Sequence, residues 1–136
     1  MGSRRKAREA AVQMLYQIDL SGTEAALAIE LFWQHLGVAV ERDAFADQLV
    51  LGYGGVSEAI DAKIRAVSRH WRLERMARVD RNIIRLGAYE LIHVADIPRR
   101  VTLNEAVELA KRFGNEESPA FVNGVLDRIA DDVAKA

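Results

Sequence analysis

The sequence predicts an all-α protein of about seven helices arranged in two small helical bundles. Apolar residues recur at helical spacing along almost the whole chain, and no segment shows the convincing alternation of a half-buried strand. Half of the 136 residues are hydrophobic and only two are proline, so the chain can bury a sizeable core. At this length we expect a single domain over residues 1–136, with an amino-terminal subdomain at 1–70 and a carboxy-terminal subdomain at 71–136.

The first half of the chain contains three helical patterns, over about 4–21, 24–36 and 42–69. Gly22 is predicted to stop the first helix, because glycine readily adopts the left-handed conformation that ends helices. Thr23 is placed to cap the second helix and Gly37 to end it. The glycine-rich run at 52–55 is expected to break or kink the third pattern.

The second half predicts a short turn of helix at 70–78 and longer helices over about 79–95, 103–113 and from 118 onward. Thr102 and Glu105 have the spacing of a capping box for the helix that ends at Gly114. Ser118 is placed to cap the last helix, with Pro119 in its first position.

The composition excludes several functional classes. The chain has no cysteine, which removes disulfides, thiolate metal sites and cysteine nucleophiles. Its three histidines lack metal-ligand spacing, and the glycine run at 52–55 lacks the strand that precedes a dinucleotide loop. No serine stands in a nucleophile-elbow motif. We therefore expect a non-enzymatic protein without metal or cofactor. No run of about 18 apolar residues exists to span a membrane, and we expect a cytoplasmic protein.

The charge is strongly segregated along the chain. The formal net charge is only −1. It conceals two basic zones and two acidic ones: +2 over residues 1–20, −6 over 21–62, +6 over 63–100 and −3 over 101–136. Segregated charge creates a local field that attracts phosphates while the remaining surface repels them. A nucleic-acid partner is therefore compatible with the near-neutral total.

The first basic zone places four cations within five residues, Arg4, Arg5, Lys6 and Arg8, with Glu9 as the only acidic neighbour. Such a cluster suits phosphate binding. It also opposes the helix dipole, which favours a functional reason for it. The alternative is a solvated helix start with no partner.

The second basic zone contains a ridge of arginines. Arg78, Arg81 and Arg85 lie about one helical turn apart, and Tyr89 continues the same face. Guanidinium groups beside an aromatic ring can bind phosphates and stack unpaired bases. The alternative is an ordinary exposed face with ion pairs. Glu90 projects toward the apolar side, so we interpret it as a structural carboxylate with a buried partner.

The sequence predicts different positions, relative to the core, for four aromatic residues. Phe121 lies roughly 95° from the centre of the apolar stripe of the last helix. It is expected at the core edge in the first turn, where free backbone N–H groups attract anions and an unpaired base could pack. The alternative is a flanking core residue. Tyr16 lies off the main apolar stripe of the first helix, and either packs between the two bundles or contacts another protein. Trp33 and Trp71 are predicted to anchor the core.

Four segments follow one another in an order and spacing that resemble the NusB family of bacterial transcription antitermination factors. They are RRKAREAAVQMLYQ (4–17), RVDRNIIRLGAYEL (78–91), TLNEAVELAKRFG (102–114) and SPAFVNGVLDRI (118–129). The resemblance implies an RNA-binding protein of two helical subdomains. It implies binding to the boxA element of ribosomal RNA leader transcripts together with ribosomal protein NusE. It also implies a complex with NusA and NusG on RNA polymerase that suppresses premature termination.

Mapped onto this chain, the resemblance implies two binding surfaces. The RNA-binding residues would be Arg4, Arg5, Lys6, Arg8, Arg81, Arg85, Glu117 and Phe121. The NusE surface would include Tyr16 and Asp80, and Arg78 extends the arginine ridge further than the resemblance requires. We expect the cations and Phe121 to converge on folding into one continuous strip for unpaired RNA. The alternative is a helical protein-interaction module, such as a homodimer through Tyr16, without RNA binding.

Overall fold

The computed structural model describes residues 2–36 and 42–136, which form seven α-helices, one short 3₁₀ helix and no strand. The α-helices are α1 (Gly2–Ser21), α2 (Ala25–Leu36), α3 (Ala44–Gly55), α4 (Ser57–Val67), α5 (Arg78–His93), α6 (Arg99–Phe113) and α7 (Ser118–Asp132). The 3₁₀ helix, Leu73–Arg75, lies between α4 and α5. The all-α prediction is confirmed. In the described part of the chain, no helix is long and apolar enough to cross a membrane.

Helix α5 is the centre of the fold. It packs against α1, α3, α4, α6 and α7, and these five helices also contact one another in a ring around it, while α2 packs outside on α1 and α3. Ile83, Ile84 and Leu86 of α5 are fully buried, in a core that is continuous between the two halves of the chain. A Cβ added to Gly87 would lie 2.6 Å from a methyl group of Leu126, so glycine permits the close approach of α5 and α7. The subdomain boundary between residues 70 and 71 stays a prediction.

The ends of α1 and α2 differ in how well they were predicted. Gly22 has φ +73°, and its N–H donates a hydrogen bond to the carbonyl of Ile18 at 2.8 Å. The predicted stop is therefore confirmed. The predicted cap Thr23 is wrong. A carboxylate oxygen of Glu24 instead accepts the N–H of Leu27 at 3.2 Å in the first turn of α2. The predicted stop Gly37 lies outside the described residues.

The predicted break at 52–55 is confirmed. Helix α3 ends at Gly55, α4 begins at Ser57, and the residue between them leaves the helical conformation. Gly52 has a packing reason, because a Cβ there would overlap the hydroxyl group of Tyr89 on α5. Glycine at this position therefore lets α3 approach the central helix.

Two predicted caps in the second half are wrong. Helix α6 begins directly after Pro98, so Thr102 lies inside the helix, where it is buried and donates its hydroxyl to a Glu90 oxygen at 3.0 Å. Ser118 is the first helical residue of α7 and not its cap. The side-chain oxygen of Asn115 accepts the N–H of Ser118 at 3.2 Å instead. Helix α6 therefore begins three residues before the predicted cap, and α7 begins at the predicted cap residue itself.

The two tryptophans have opposite environments. Trp33 is buried and its indole N–H donates to an oxygen of Asp47 at 2.8 Å, which confirms the predicted core anchor. Trp71 is 61% exposed, so the same prediction is wrong for it. The reason is local, because the 3₁₀ turn places Leu73, which is almost fully buried, in the core.

Candidate functional site

The amino-terminal cluster, which we define as Arg4, Arg5 and Lys6, is exposed on the first turns of α1. The guanidinium carbon of Arg4 lies 3.9 Å from the centre of the Phe45 ring on α3. Arg5 forms a bidentate ion pair with Glu105 of α6, at 3.0 and 2.8 Å. The hydrogen bonds from Arg5 lower the pKa of Glu105. Arg5 remains half exposed in this pair, so phosphates can still approach it.

Arg8 is separate from this cluster because it is buried, with only 4% of its surface exposed. Two of its nitrogens donate to the carboxylate of Glu90 on α5 at 2.7 and 2.9 Å, and Glu90 also accepts the hydroxyl of Thr102. The interpretation of Glu90 as a structural carboxylate is therefore confirmed. Arg8 therefore does not belong to an exposed cluster of four cations, since it is buried and paired with an acid 82 residues away in the sequence.

The α5 arginines, Arg81 and Arg85, are also turned inward. Arg81 donates to both oxygens of Asp19 on α1 at 2.6 and 2.8 Å. Arg85 donates to both oxygens of Asp61 on α4 at 3.1 Å and lies 3.3 Å from Asp19. Their side chains are only 13% and 15% exposed. Arg81 and Arg85 therefore form ion pairs, as the alternative interpretation of the ridge expected. Their face is mostly buried, however, and not exposed.

Two carboxylates lie among the α5 arginines, and Arg78, at the start of α5, also lies 3.7 Å from Asp19. Burial opposes ionisation of Asp19, yet hydrogen bonds from Arg81 and Asn82 lower its pKa. Tyr53 donates its hydroxyl to Asp61 at 2.8 Å, and burial raises the pKa of the Tyr53 phenol. These carboxylates are occupied by arginines, and no group of three or more potential ligands in the described residues could hold a metal ion.

The two basic groups lie at opposite ends of α1. Arg8, next to the amino-terminal cluster, reaches Glu90 near the end of α5, whereas Arg81 near the start of α5 reaches Asp19. Eleven residues separate Arg8 from Asp19 on α1, which corresponds to about 16 Å along the helix axis. The expected continuous strip of cations is therefore wrong for Arg81 and Arg85. These two arginines lie far from the amino-terminal cluster along α1, and carboxylates neutralise them.

Phe121 lies in the first turn of α7 and is partly buried, at the predicted core edge. Its ring contacts Trp71 edge to face, with ring centres 6.0 Å apart and planes at 76°. Glu117, one turn earlier, is exposed. Sequence reasoning missed Trp71 as a surface residue. The sequence did contain a signal for exposure. The immediate neighbours of Trp71, His70 and Arg72, are polar, so Trp71 is not part of an apolar stripe.

Tyr16 and Asp80, the two predicted partner contacts, differ in accessibility. Tyr16 is partly exposed and lines an apolar groove of about 610 Å³ together with Val12, Phe32 and Phe113. Asp80 is buried, and one of its carboxylate oxygens has no hydrogen-bond partner among the described residues. Tyr16 therefore offers a docking surface, whereas Asp80 offers little area for direct contact.

Comparisons with known proteins agree with the geometry. Residues 5–131 match the NusB family. A transcription antitermination protein NusB from Sorangium cellulosum is 52% identical over 135 residues, 99% of this chain and 96% of the relative. A solved structure of T. maritima NusB is 36% identical, with a TM-score of 0.83 over 95% of this chain and 91% of that one. A crystal structure of antitermination factors NusB and NusE in complex with dsRNA is 30% identical, with a TM-score of 0.86 over 97% and 98%.

Proposed function

Because the chain belongs to the NusB family of transcription antitermination proteins, we propose that it is a non-enzymatic adaptor for RNA and protein. In this proposal it binds boxA RNA of ribosomal RNA leader transcripts together with ribosomal protein NusE. The assembly then joins NusA and NusG on RNA polymerase and suppresses premature termination. A similar NusB protein solved with NusE and double-stranded RNA supports both partners.

The observation that carries the RNA part of the proposal is the exposure of the amino-terminal cluster. Arg4, Arg5 and Lys6 present three cations on adjacent positions of α1, and the acidic zones elsewhere disfavour nonspecific binding. These cations bind the sugar–phosphate backbone, which positions the strand without reading its sequence. Phe121 stacks on an unpaired base and the exposed carboxylate of Glu117 accepts hydrogen bonds from base amino groups.

Arg8, Arg81 and Arg85 have a different role in this proposal. All three are held by carboxylates of other helices and have little exposed surface. A phosphate would have to displace those carboxylates, and the buried acids would then lose their partners. Arg8 and Arg81 therefore stabilise the packing of α1 against α5, which keeps the amino-terminal cluster in place, and Arg85 also joins α5 to α4.

The NusE part of the proposal is carried by the groove beside Tyr16. The groove is apolar and open between α1 and α2, and it suits an aromatic or aliphatic anchor of a protein partner. Asp80 is buried next to Val79, which lines the groove, so in this proposal it supports this edge of the NusE surface from within. NusE then adds its own RNA contacts, so affinity for boxA RNA rises when both proteins are present.

Titration of boxA RNA with the protein, in the presence and absence of NusE, tests the proposal. We expect weak binding by the protein alone and a clear gain with NusE. The variant with Arg4, Arg5 and Lys6 all replaced by Gln should lose most of the RNA affinity. Lys63→Gln is the matched control, because Lys63 pairs with Asp132 on another part of the surface. Equal RNA affinity with and without NusE would contradict the adaptor function.

A second candidate function is a protein-only interaction module that forms a homodimer. The apolar groove beside Tyr16 favours it, because an exposed apolar surface of this kind is typical of protein contacts. Gel filtration of the protein and of Tyr16→Ala, combined with the RNA titration, separates the two functions. A dimer that dissociates in Tyr16→Ala and does not bind RNA would favour the second one.

A further inference from the structure

Trp71 is the most exposed of the large apolar side chains that the structure describes, at 61%. Its backbone is held in place, because its N–H donates to the carbonyl of Ser68 at 3.0 Å. Ser68 is itself buried and donates its hydroxyl to a carbonyl of α4 at 2.7 Å, and Leu73 anchors the other side of the segment. The edge contact with Phe121 fixes the indole further. An exposed indole that is held in place offers a flat surface on which a base can stack.

Gly124 is the second observation, and it is independent of the first. It lies one turn after Phe121 on the same face of α7, and a Cβ added there would meet no atom within 4 Å. A glycine inside a helix is destabilising relative to alanine. No intramolecular contact requires it here, in contrast to Gly87, where Leu126 leaves no room. Glycine at position 124 instead leaves a flat surface beside the two aromatic rings.

The charges beside this surface identify the chemistry of its occupant. Arg69 and Arg72 flank Trp71 in the sequence and are exposed, and Arg128 follows Gly124 by about one turn and is exposed as well. None of these three arginines forms an ion pair with the residues that the structure describes. Aromatic rings that alternate with cations are typical of proteins that bind single-stranded nucleic acid by base stacking and phosphate contact. An acidic peptide would also match the cations, and aromatic side chains occur in protein interfaces too, so NusE without RNA is one arm of the fluorescence test.

We propose that Trp71, Phe121 and Gly124 form a shelf that binds an unpaired nucleotide of RNA, with Trp71 stacking on the base. The inference rests on the proposed RNA-binding function and adds Trp71 and Gly124 to its binding residues. The base lies against the indole, the ribose or phosphate passes over Gly124, and Arg69, Arg72 and Arg128 neutralise the strand.

Tryptophan fluorescence tests the shelf directly, since Trp33 and Trp71 are the only tryptophans of the chain and Trp33 is buried. A boxA RNA oligonucleotide should quench the emission of the wild type. The quenching should disappear in Trp71→Phe, where only Trp33 emits. RNA affinity should fall roughly tenfold in Trp71→Ala, as expected for the loss of one stacked base. Leu27→Ala, which removes another exposed apolar side chain on α2, should leave the affinity unchanged.

Gly124→Ala separates binding from folding. It should raise Tm, because alanine favours the helix and its Cβ meets no neighbour, while RNA affinity falls severalfold because the methyl group obstructs the strand. Gly54→Ala is the control, since it also has open space around its Cβ but lies in the last turn of α3. A Gly124→Ala variant that binds RNA as tightly as the wild type would overturn the inference.

The failures of the two proposals are distinguishable. If the wild type does not bind boxA RNA with or without NusE, the proposed function fails. If the wild type binds and the Arg4, Arg5 and Lys6 variant loses affinity while Trp71→Ala and Gly124→Ala bind normally, only the shelf is wrong. Quenching of Trp71 by NusE without RNA, and not by RNA, would assign the surface to protein contact and also overturn the shelf.

Discussion

The amino-terminal cluster and the α5 arginines contain the same kind of side chain in opposite environments. Arg5 keeps half of its surface exposed while it pairs with Glu105, whereas Arg81 and Arg85 are mostly covered and held by Asp19 and Asp61. Only an exposed cation can exchange its counterions for RNA phosphates. The comparison teaches that the number of arginines in a segment does not decide its function. The acids that distant helices place beside them decide it.

Arg8 shows how sharp the boundary between the two environments is. It lies only three residues after Arg5, yet it is buried against Glu90 while Arg5 is exposed. One turn of α1 therefore contains both a surface cation and a core ion pair. The core pair holds α1 against α5 at the end where the amino-terminal cluster begins.

The largest predicted effect is at this core pair. Glu90→Leu removes both short hydrogen bonds of the buried Arg8 guanidinium and leaves only Glu105, 4.0 Å away, so we expect the free energy of unfolding to fall by about 3–5 kcal/mol. Urea denaturation at neutral pH measures it. The double variant Arg8→Met with Glu90→Leu should recover most of the loss, because no unpaired charge remains. A loss below about 1 kcal/mol in Glu90→Leu would show that Arg8 finds another partner.

The second largest loss of stability is expected at Asp19, which contacts both Arg81 and Arg85. Asp19→Asn should lower the free energy of unfolding by about 2 kcal/mol, since the site is partly open and Asp61 still pairs with Arg85. The same urea titration measures it. Lys63→Gln, which breaks an exposed ion pair, serves as the control and should have a much smaller effect. Equal losses in the two variants would contradict the inward role of the α5 arginines.

The pH dependence of stability provides a separate test of Asp19. Its pKa in the folded protein lies below the ordinary value of 3.8. The stabilisation by its carboxylate is therefore fully present above that ordinary value and is lost as pH falls through the lower folded pKa. The difference in unfolding free energy between the wild type and Asp19→Asn should shrink as pH falls from about 5 to 3. A difference that stays constant over this range would contradict the lowered pKa.

The smallest effect on stability is expected at the amino-terminal cluster. Arg5→Gln breaks an exposed pair with Glu105, and such pairs contribute little because water screens both charges. The urea midpoint should stay within experimental error of the wild type, while boxA RNA affinity falls. An Arg5→Gln variant that unfolds as easily as Asp19→Asn would mean that Arg5 is structural, like Arg81.

The helices were predictable from the sequence because their apolar periodicity is local information. The break at 52–55 and the stop at Gly22 also depend on nearby residues alone. The start of α6 was not predicted correctly, because two adjacent signals compete. Pro98 directly precedes the first helical residue, so the later capping box at Thr102 becomes part of the interior. In the sequence-based prediction the helix started at the capping box, and Pro98 was not used as a start signal.

The candidate site was less predictable because its decisive contacts are long-range. Asp19 precedes Arg81 by 62 residues, and Glu105 follows Arg5 by 100. No spacing rule connects such pairs. The exposure of Trp71 depends on the turn that places Leu73 in the core, which the periodicity of flanking helices does not specify. The exposed and the neutralised arginines therefore look alike until the helices are packed.

The distinction between the exposed amino-terminal cluster and the ion-paired α5 arginines is tested most directly by the salt dependence of boxA RNA affinity, measured with NusE present. Three exposed cations on a single strand contribute about −2 to the slope of log affinity against log salt concentration. Replacing Arg4, Arg5 and Lys6 by Gln should flatten the slope by about that amount. The charge-balanced double variant Arg81→Gln with Asp19→Asn should leave it unchanged. A slope that flattens in the double variant and not in the triple one would contradict the account.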